Sequence, residues 1–472
     1  MKILKNYFYN LFYQIFTILV PIITVPYISR AIGPTGTGIN AYTNSMISYF
    51  VLLANFGFTL YGSRMIAYKR DDIRKMSASF WEILISKMIM MSISLGIFGL
   101  FYLFQQNYRF FLLLQSIQIV AAGLDISWLF IGLEDFKRTV IRNFIVKIFS
   151  VMLIFLFVHQ KSDLWIYISI LSISTLLGNL TLWTYLKKHI IHINFRELQI
   201  KQHFFPASIL FLPQLTTTAF VTFNRLILGN FSTMIQTGFF DNSDKIVRIF
   251  LSVLTALGTV LFPRIAYHFQ KGEQDIANKY VSIAFQITSC ISFPLVAGII
   301  VLAKPFSDLF YGASFKGVSI VLSILSVELI FMGWSSIIGQ QYMVAIKKTR
   351  GLTVSILVAL IICVTTSILV VPILGAVGAA SISVFGECII IIVQLFYVRN
   401  EINLKLLFDE LWKYLLSSVI MFMICSIISM VLTTSAVFEI IVVGLVGVII
   451  YFILLKLFRA KIFNYLSLIK TR

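Results

Sequence analysis

The sequence predicts an all-α, polytopic membrane protein of about fourteen transmembrane helices, and three observations predict it. Hydrophobic residues are 59% of the 472 and charged residues only 12%. The mean hydropathy is +0.94. Apolar runs of about 20 residues, the length a helix needs to cross a bilayer, recur from one end of the chain to the other. A soluble chain carries about 25% charged residues, so soluble classes are excluded. The 38 Lys and Arg against 19 Asp and Glu leave a net charge of +19. They come in small groups between apolar runs, not on one face or tail, so no nucleic-acid partner is expected.

Taken in order, the spans lie near residues 8 to 31, 41 to 62, 80 to 104, 108 to 131, 141 to 158 and 164 to 186. After a basic stretch come 206 to 230, 234 to 262, 280 to 303, 317 to 343, 351 to 371, 376 to 398, 411 to 432 and 436 to 457. The first follows Lys2 and Lys5 and runs to about Ile32 without a small-residue cleavage pattern, so it reads as a helix and not as a signal peptide. Basic residues should gather on the cytoplasmic side. Connections of one parity hold the clusters Arg64 to Lys75, Lys137 to Arg142, Lys187 to Lys201, Arg264 to Lys279, Lys347 to Arg350, Arg399 to Lys413 and Lys456 onward. The other parity holds Arg30, Arg109, Lys161, Lys304 and Lys316. That asymmetry predicts both termini in the cytoplasm, with membrane lipid headgroups as contacts of the basic loops.

An internal repeat divides the chain. Arg64-Met65-Ile66-Ala67-Tyr68 follows the second span and Arg264-Ile265-Ala266-Tyr267 the eighth, six helices later. Arg30 closes the first span as Arg225 lies in the seventh. Six is even, so the halves are parallel repeats. The expected organisation is a six-helix lobe over 1–200, a second over 201–400, and helices 13 and 14 over 401–472. Pro21 and Pro26 in the first helix and Pro206 and Pro213 in the seventh should bend the repeat-related pair.

Charges inside the membrane carry the chemistry, because each costs about 2.5 to 3.5 kcal/mol at a helix centre. Asp241, Asp244, Lys245 and Arg248 fall at i, i+3, i+4 and i+7, one stripe of the eighth helix. Asp241 with Lys245 and Asp244 with Arg248 are i,i+4 acid-then-base pairs. Facing a cavity between the lobes and joined by Arg30 and Arg225, the group is net positive, as a phosphate or pyrophosphate requires. A solvated helix start outside the bilayer is the alternative. Glu328 and Glu387 sit near the middle of the tenth and twelfth helices, too deep to snorkel; each is a candidate for coupling to H+ or Na+, or a neutral Glu bonded to a neighbouring helix. Lys87 and Lys147 are expected to snorkel to the cytoplasmic interface, and Asp125 likewise lies near that end of its span.

Other chemistry finds no support. Cys290, Cys363, Cys388 and Cys425 lack metal or disulfide spacing and read as packing residues. His159, His189, His192, His203 and His268 read as loop or surface histidines. No Walker-type loop is present, so ATP is not the direct energy source, and neither a metal nor another cofactor is expected.

Several segments carry a resemblance: Tyr9-Asn10 through Tyr13-Gln14 to Pro26-Tyr27-Ile28-Ser29-Arg30 and Gly33; Tyr61-Gly62-Ser63-Arg64; Asp125-Ile126-Ser127-Trp128 with Gly132-Leu133-Glu134-Asp135-Phe136; and Asp241 to Lys245 followed by Pro263-Arg264. Over nearly the whole chain it resembles the Wzx-type polysaccharide repeat-unit flippases of the multidrug/oligosaccharidyl-lipid/polysaccharide (MOP) exporter superfamily. The resemblance implies MATE-like lobes in a bacterial cytoplasmic membrane and passage of an undecaprenyl-pyrophosphate-linked oligosaccharide for capsule, exopolysaccharide or O-antigen, with no enzymatic activity. It implies basic cavity residues that attract the pyrophosphate, matching Arg30 and Arg248 best, with a polysaccharide polymerase and glycosyltransferases as partners. The rival of the same fold is an ion-coupled drug/cation antiporter, which a net negative cavity would favour. A membrane glycan polymerase or ligase needs a long outward loop that this chain lacks.

Overall fold

In the computed structural model the backbone is described for residues 2–191, 193–432 and 435–463, with side chains omitted at 2–18, 136, 195 and 256–262. Among the described residues there is no strand, and sixteen α-helices follow one another. They are α1 (Lys2–Asn55), α2 (Phe58–Lys69), α3 (Ile73–Phe104), α4 (Arg109–Gly123), α5 (Ser127–Gly132), α6 (Phe136–Phe157), α7 (Leu164–Trp183), α8 (Phe204–Phe231), α9 (Met234–Gln270), α10 (Gln274–Phe310), α11 (Val318–Ser326), α12 (Glu328–Ser335), α13 (Thr349–Val398), α14 (Leu404–Phe408), α15 (Leu411–Val431) and α16 (Ala436–Leu457). His192, Lys470 and Arg472, and the side chains of Lys2, Lys5, Tyr9, Asn10, Tyr13 and Gln14, lie outside the description.

Eleven described helical segments are long and apolar enough to cross a membrane. Two of them, Leu19–Lys69 with 51 residues and Thr349–Val398 with 50, each have length for two crossings. The 37 residues of α9 form one more long helix. Counted this way, each of the fourteen expected crossings has its helix. The two double segments bend at a glycine: Gly33 (φ 72, ψ 177) in α1 and Gly375 (φ 54, ψ −134) in α13. Positive φ is where glycine alone escapes a steric penalty. Pro34 then opens the second half of α1, where its missing N–H costs nothing. In α13 the Gln236 side chain accepts from the Ala376 N–H at 3.0 Å, sealing the bend. Pro21, Pro26 and Pro213 lie within helices, whereas Pro206 occupies the first turn of α8, where proline is tolerated.

The chain divides into two compact units, Met1–Leu226 and Ile227–Arg472. In the first, the core gathers round Trp128, which is stacked on Phe80 at 5.3 Å with Phe58, Ile83 and Phe130 fully buried nearby. Here the fourth span is broken between α4 and α5. A break inside a membrane is tolerated only if its polar backbone finds partners, and it does. Asn179 Nδ2 donates to the Ala121 carbonyl at 2.7 Å and Trp183 Nε1 to Leu124 at 2.9 Å. Trp128 Nε1 and Lys87 Nζ both donate to Asp125, at 3.1 and 2.8 Å. The Asp125 carboxylate caps α5 through the Ser127 N–H at 2.9 Å.

In the second unit α15 and α16 pack on α10 and on each other, and Phe285, Trp334 and Phe408 form an aromatic knot. The tenth span is segmented: α11, then α12, then a π-helical turn over Ser336–Met343. Such wide turns are rare and cluster at functional sites.

Candidate functional site

The charged stripe of α9 is fixed in rotation by its neighbours. Tyr311 donates to the Asn242 carbonyl at 2.9 Å, and the Ser243 hydroxyl donates to the Phe239 carbonyl at 2.9 Å and reaches the Val318 carbonyl at 3.3 Å. Both i,i+4 pairs form: Lys245 Nζ lies 2.6 Å from Asp241 Oδ2, and Arg248 Nε donates to Asp244 Oδ2 at 2.8 Å. The two acids are buried, while the Lys245 and Arg248 side chains remain 35% and 39% exposed. The stripe therefore runs from a packed acidic edge to an accessible basic one.

Glu328 of α12 and Glu387 of α13, both buried, converge on the same place. Glu328 interacts electrostatically with Glu387, Asp244 and Arg248, and its carboxyl group hydrogen-bonds Ser383. Its Oε1 is buried with no hydrogen-bond partner among the described residues. Glu387 faces Arg248 and Asp244, and the Cys363 thiol faces both glutamates. Asp244 thus pairs with the Arg248 guanidinium directly, and Glu328 and Glu387 lie within its electrostatic reach. Their spacing of 60 to 140 residues along the chain hides this from sequence reasoning, which treats the stripe and the glutamates as separate features.

Arg30 and Arg225 belong to the first unit. Arg30 is exposed, and Arg225 Nη1 donates to the Val221 carbonyl one turn back at 2.9 Å. Two expectations are corrected in this unit. Lys87 does not snorkel: it is fully buried, its ammonium held by the Asp125 carbonyl, because the broken helix needs a donor there. His203 is no surface residue. It is 1% exposed, with Nε2 2.8 Å from Glu82 Oε2 and Nδ1 2.8 Å from the Tyr61 hydroxyl. Gln199 N–H donates to the other oxygen of Glu82 at 2.8 Å, so the segment entering α8 is pinned to α2 and α3. Glu82, at the start of a span, is the signal that would have found this.

A further feature escapes sequence reasoning. An apolar groove of about 520 Å³ in the second unit is lined by α10, α15 and α16, through residues such as Pro294, Phe306, Met421, Val443, Gly447 and Phe452.

With this architecture described, the comparisons are specific. The family model described as "Polysaccharide biosynthesis protein" matches residues 3–269, more than half of the chain. The chain belongs to that family. It is a Wzx-type member of the MOP superfamily, and the model described as "Lipid II flippase MurJ" matches its residues 138–455. A protein of Escherichia coli (strain K12) described as an O-antigen transporter is 22% identical over 84% of this chain and 97% of its own length. The lipid II flippase MurJ of Bacillus subtilis (strain 168) is 25% identical over 30% of this chain and 26% of its own. Among solved structures, a lipid II flippase MurJ in an inward closed conformation covers 96% of this chain and 98% of its own with a TM-score of 0.74 at 16% identity. An inward-facing multidrug resistance MATE family transporter covers 81% and 93% with a TM-score of 0.63. The family member described here is thus a multi-pass, all-α membrane protein of the MOP type, as the apolar runs predict.

Proposed function

We propose that this protein is a flippase that moves an undecaprenyl-pyrophosphate-linked oligosaccharide repeat unit from the inner to the outer leaflet of a bacterial cytoplasmic membrane, by alternating access, with both termini in the cytoplasm. The observation that carries the reading is the partly exposed Arg248 guanidinium at the accessible edge of an otherwise buried ionic stripe, in a chain of this family. A guanidinium grips phosphate oxygens in pairs. Arg30, Arg225 and Lys245 are assigned supporting positive charge for the same headgroup, and 1–200 and 201–400 are read as repeat-related lobes. The apolar groove lined by α10, α15 and α16 suits the polyprenyl chain, for its lining offers an acyl chain apolar contact and little to hydrogen-bond. Glu328 and Glu387 are assigned to ion coupling. The glycan serves capsule, exopolysaccharide or O-antigen assembly, made by glycosyltransferases and consumed by a polymerase.

The test is glycan export in cells. Arg248→Ala abolishes surface glycan while the protein still inserts in the membrane; Arg248→Lys, a point charge without the fork, keeps part of it. Normal export by Arg248→Ala overturns the site.

One observation favours a second reading. With Glu328 and Glu387 added, the site's carboxylates, Asp241, Asp244, Glu328 and Glu387, equal its assigned cations, Arg30, Arg225, Lys245 and Arg248, which removes the net positive charge that counts against a drug/cation antiporter. Efflux of a cationic dye from vesicles holding the purified protein, with no effect on surface glycan, would establish that reading instead.

A further inference from the structure

The connection between α7 and α8, residues 184–203, holds only short helical turns. A stretch of that length without regular structure is uncommon in a compact fold and is usually functional or slack. The two sequence repeats meet here, so slack between moving lobes is the simple expectation. The contacts of the connection contradict it. Near its start the Ile191 N–H donates to the Ser77 hydroxyl at 3.1 Å. Near its end the Gln199 N–H donates to Glu82, the Ser86 hydroxyl reaches the Ile200 carbonyl at 3.4 Å, and the His203 ring is held between Glu82 and Tyr61. Ser77, Glu82, Ser86 and His203 are all buried, and these partners belong to α2 and α3. Between the two anchored ends Asn194 bonds locally, accepting from the Arg196 N–H at 3.2 Å and donating to Glu197 at 3.1 Å. The connection is a strap fastened at both ends.

α8 continues the attachment. The Ala207 carbonyl comes so close to Gly57 that a Cβ there would fall 2.4 Å from it. Phe211 stacks on Phe56 at 4.9 Å, and Phe204 meets Phe58 edge-on at 5.7 Å. Several turns further along, the Thr222 hydroxyl donates to the Tyr49 hydroxyl of α1 at 2.9 Å. The chain passes from the first compact unit to the second only after this, between Leu226 and Ile227.

We infer that the strap and α8 travel as one body with α2 and α3 through the transport cycle, so that the joint between moving parts lies beyond Leu226 and not in the long polar connection. The boundary of the sequence repeat and the mechanical boundary then differ by one helix. The reason is energetic. Opening the strap strands the buried Glu82 carboxylate, and leaving a buried charge without its partner is among the costliest local events, whereas the conformations a working protein exchanges lie close in free energy. A joint beyond α8 breaks none of these bonds. The inference rests on the flippase reading for the existence of a cycle and adds where that cycle bends.

The test fastens what is inferred to stay closed. In a background with Cys290, Cys363, Cys388 and Cys425 replaced by alanine, Ser77→Cys/Ile191→Cys ties the strap to α3, and Tyr49→Cys/Thr222→Cys ties α8 to α1. Each pair is bridged in cells by a membrane-permeant bis-maleimide with a cleavable spacer, and bridge formation and surface glycan are recorded together. Both bridges form, and export continues at its unbridged level. Export that is lost on bridging and regained when the spacer is cleaved overturns the inference and leaves the flippase reading standing; so does a pair that does not bridge. If a cysteine variant fails to insert, amide hydrogen exchange of the wild-type chain in lipid nanodiscs decides. Exchange at Ile191, Gln199 and the first turns of α8 is as slow as in the neighbouring turns of α3, and the fast exchange of an open loop there overturns the inference. Surface glycan that persists when the gene is deleted overturns the flippase reading instead, and the exchange measurement still decides whether the strap is closed.

Discussion

In the first unit the Lys87 ammonium ends on the Asp125 carbonyl, the Arg142 guanidinium on Asn179 and Asn143, and the Glu82 carboxylate on His203 and the Gln199 N–H. In the second, Asp244, Glu328 and Glu387 press on one arginine. The first arrangement gives each buried charge its own partner, often a backbone group freed where a helix breaks. The second gathers carboxylates of α9, α12 and α13 within electrostatic reach of one guanidinium. A settled charge holds a fold in one shape, whereas an unsettled one responds to whatever arrives. The contrast separates structural charge from working charge in a protein whose membrane-embedded ions all look alike by depth.

Substitution can break that contrast. The largest effect is expected at His203: His203→Ala strands the Glu82 carboxylate, and removing one partner of a buried pair costs about 3–5 kcal/mol, read as a drop in the apparent unfolding temperature in detergent. Glu328→Gln puts an uncharged amide of nearly the same shape in place of a buried carboxyl group, so its unfolding temperature holds or rises. Equal losses at the two sites would erase the distinction. Next comes Gly62→Ala. A methyl group there falls 2.6 Å from the Trp128 ring, and overpacking of this kind costs about 1–3 kcal/mol, measurable in the same assay. Wild-type stability would mean that α2 and α5 are less tightly joined.

The smallest effect concerns pH at the edge of the first unit. Burial, and then the charge of Arg138, hold His189 below its usual range, and Arg138 Nη1 lies 2.6 Å from His189 Nε2, a contact that requires the neutral ring. The unfolded chain therefore binds the proton first, and stability falls as pH drops below about 6.5. Arg138→Gln should flatten that slope; an unchanged slope places the titration elsewhere.

Much of this fold is legible in the sequence because the bilayer imposes length. Apolar runs mark the crossings, and the bend at Gly375 lies where two runs nearly merge after Val371. The i,i+4 pairs of the stripe are equally legible, since helical spacing alone puts Asp241 by Lys245 and Asp244 by Arg248. What escapes is whatever depends on helix rotation about its own axis. Hydropathy is nearly uniform round α13, and α12 is only eight residues long, so it cannot say that Glu328 and Glu387 come within reach of Arg248. Lys87 misleads for a related reason: its depth is readable, but the broken helix that captures its ammonium is visible only once Leu124 to Ile126 leave the helix. His203 resembles a loop residue because the segment before α8 is polar, yet the polar groups of that segment are the ones turned inward.

The bends at Gly33 and Gly375 bear on how this chain can change over time. Neither leaves a loop: helix runs into helix through a single residue. Ordinary connections absorb added or missing residues as slack. Here one inserted residue would turn everything that follows by about 100°, carrying the buried Ala376, Ala379, Ala380 and Glu387 off their shared face. Length variation among descendants of this gene should therefore spare these two hairpins and collect in the stretch between α7 and α8.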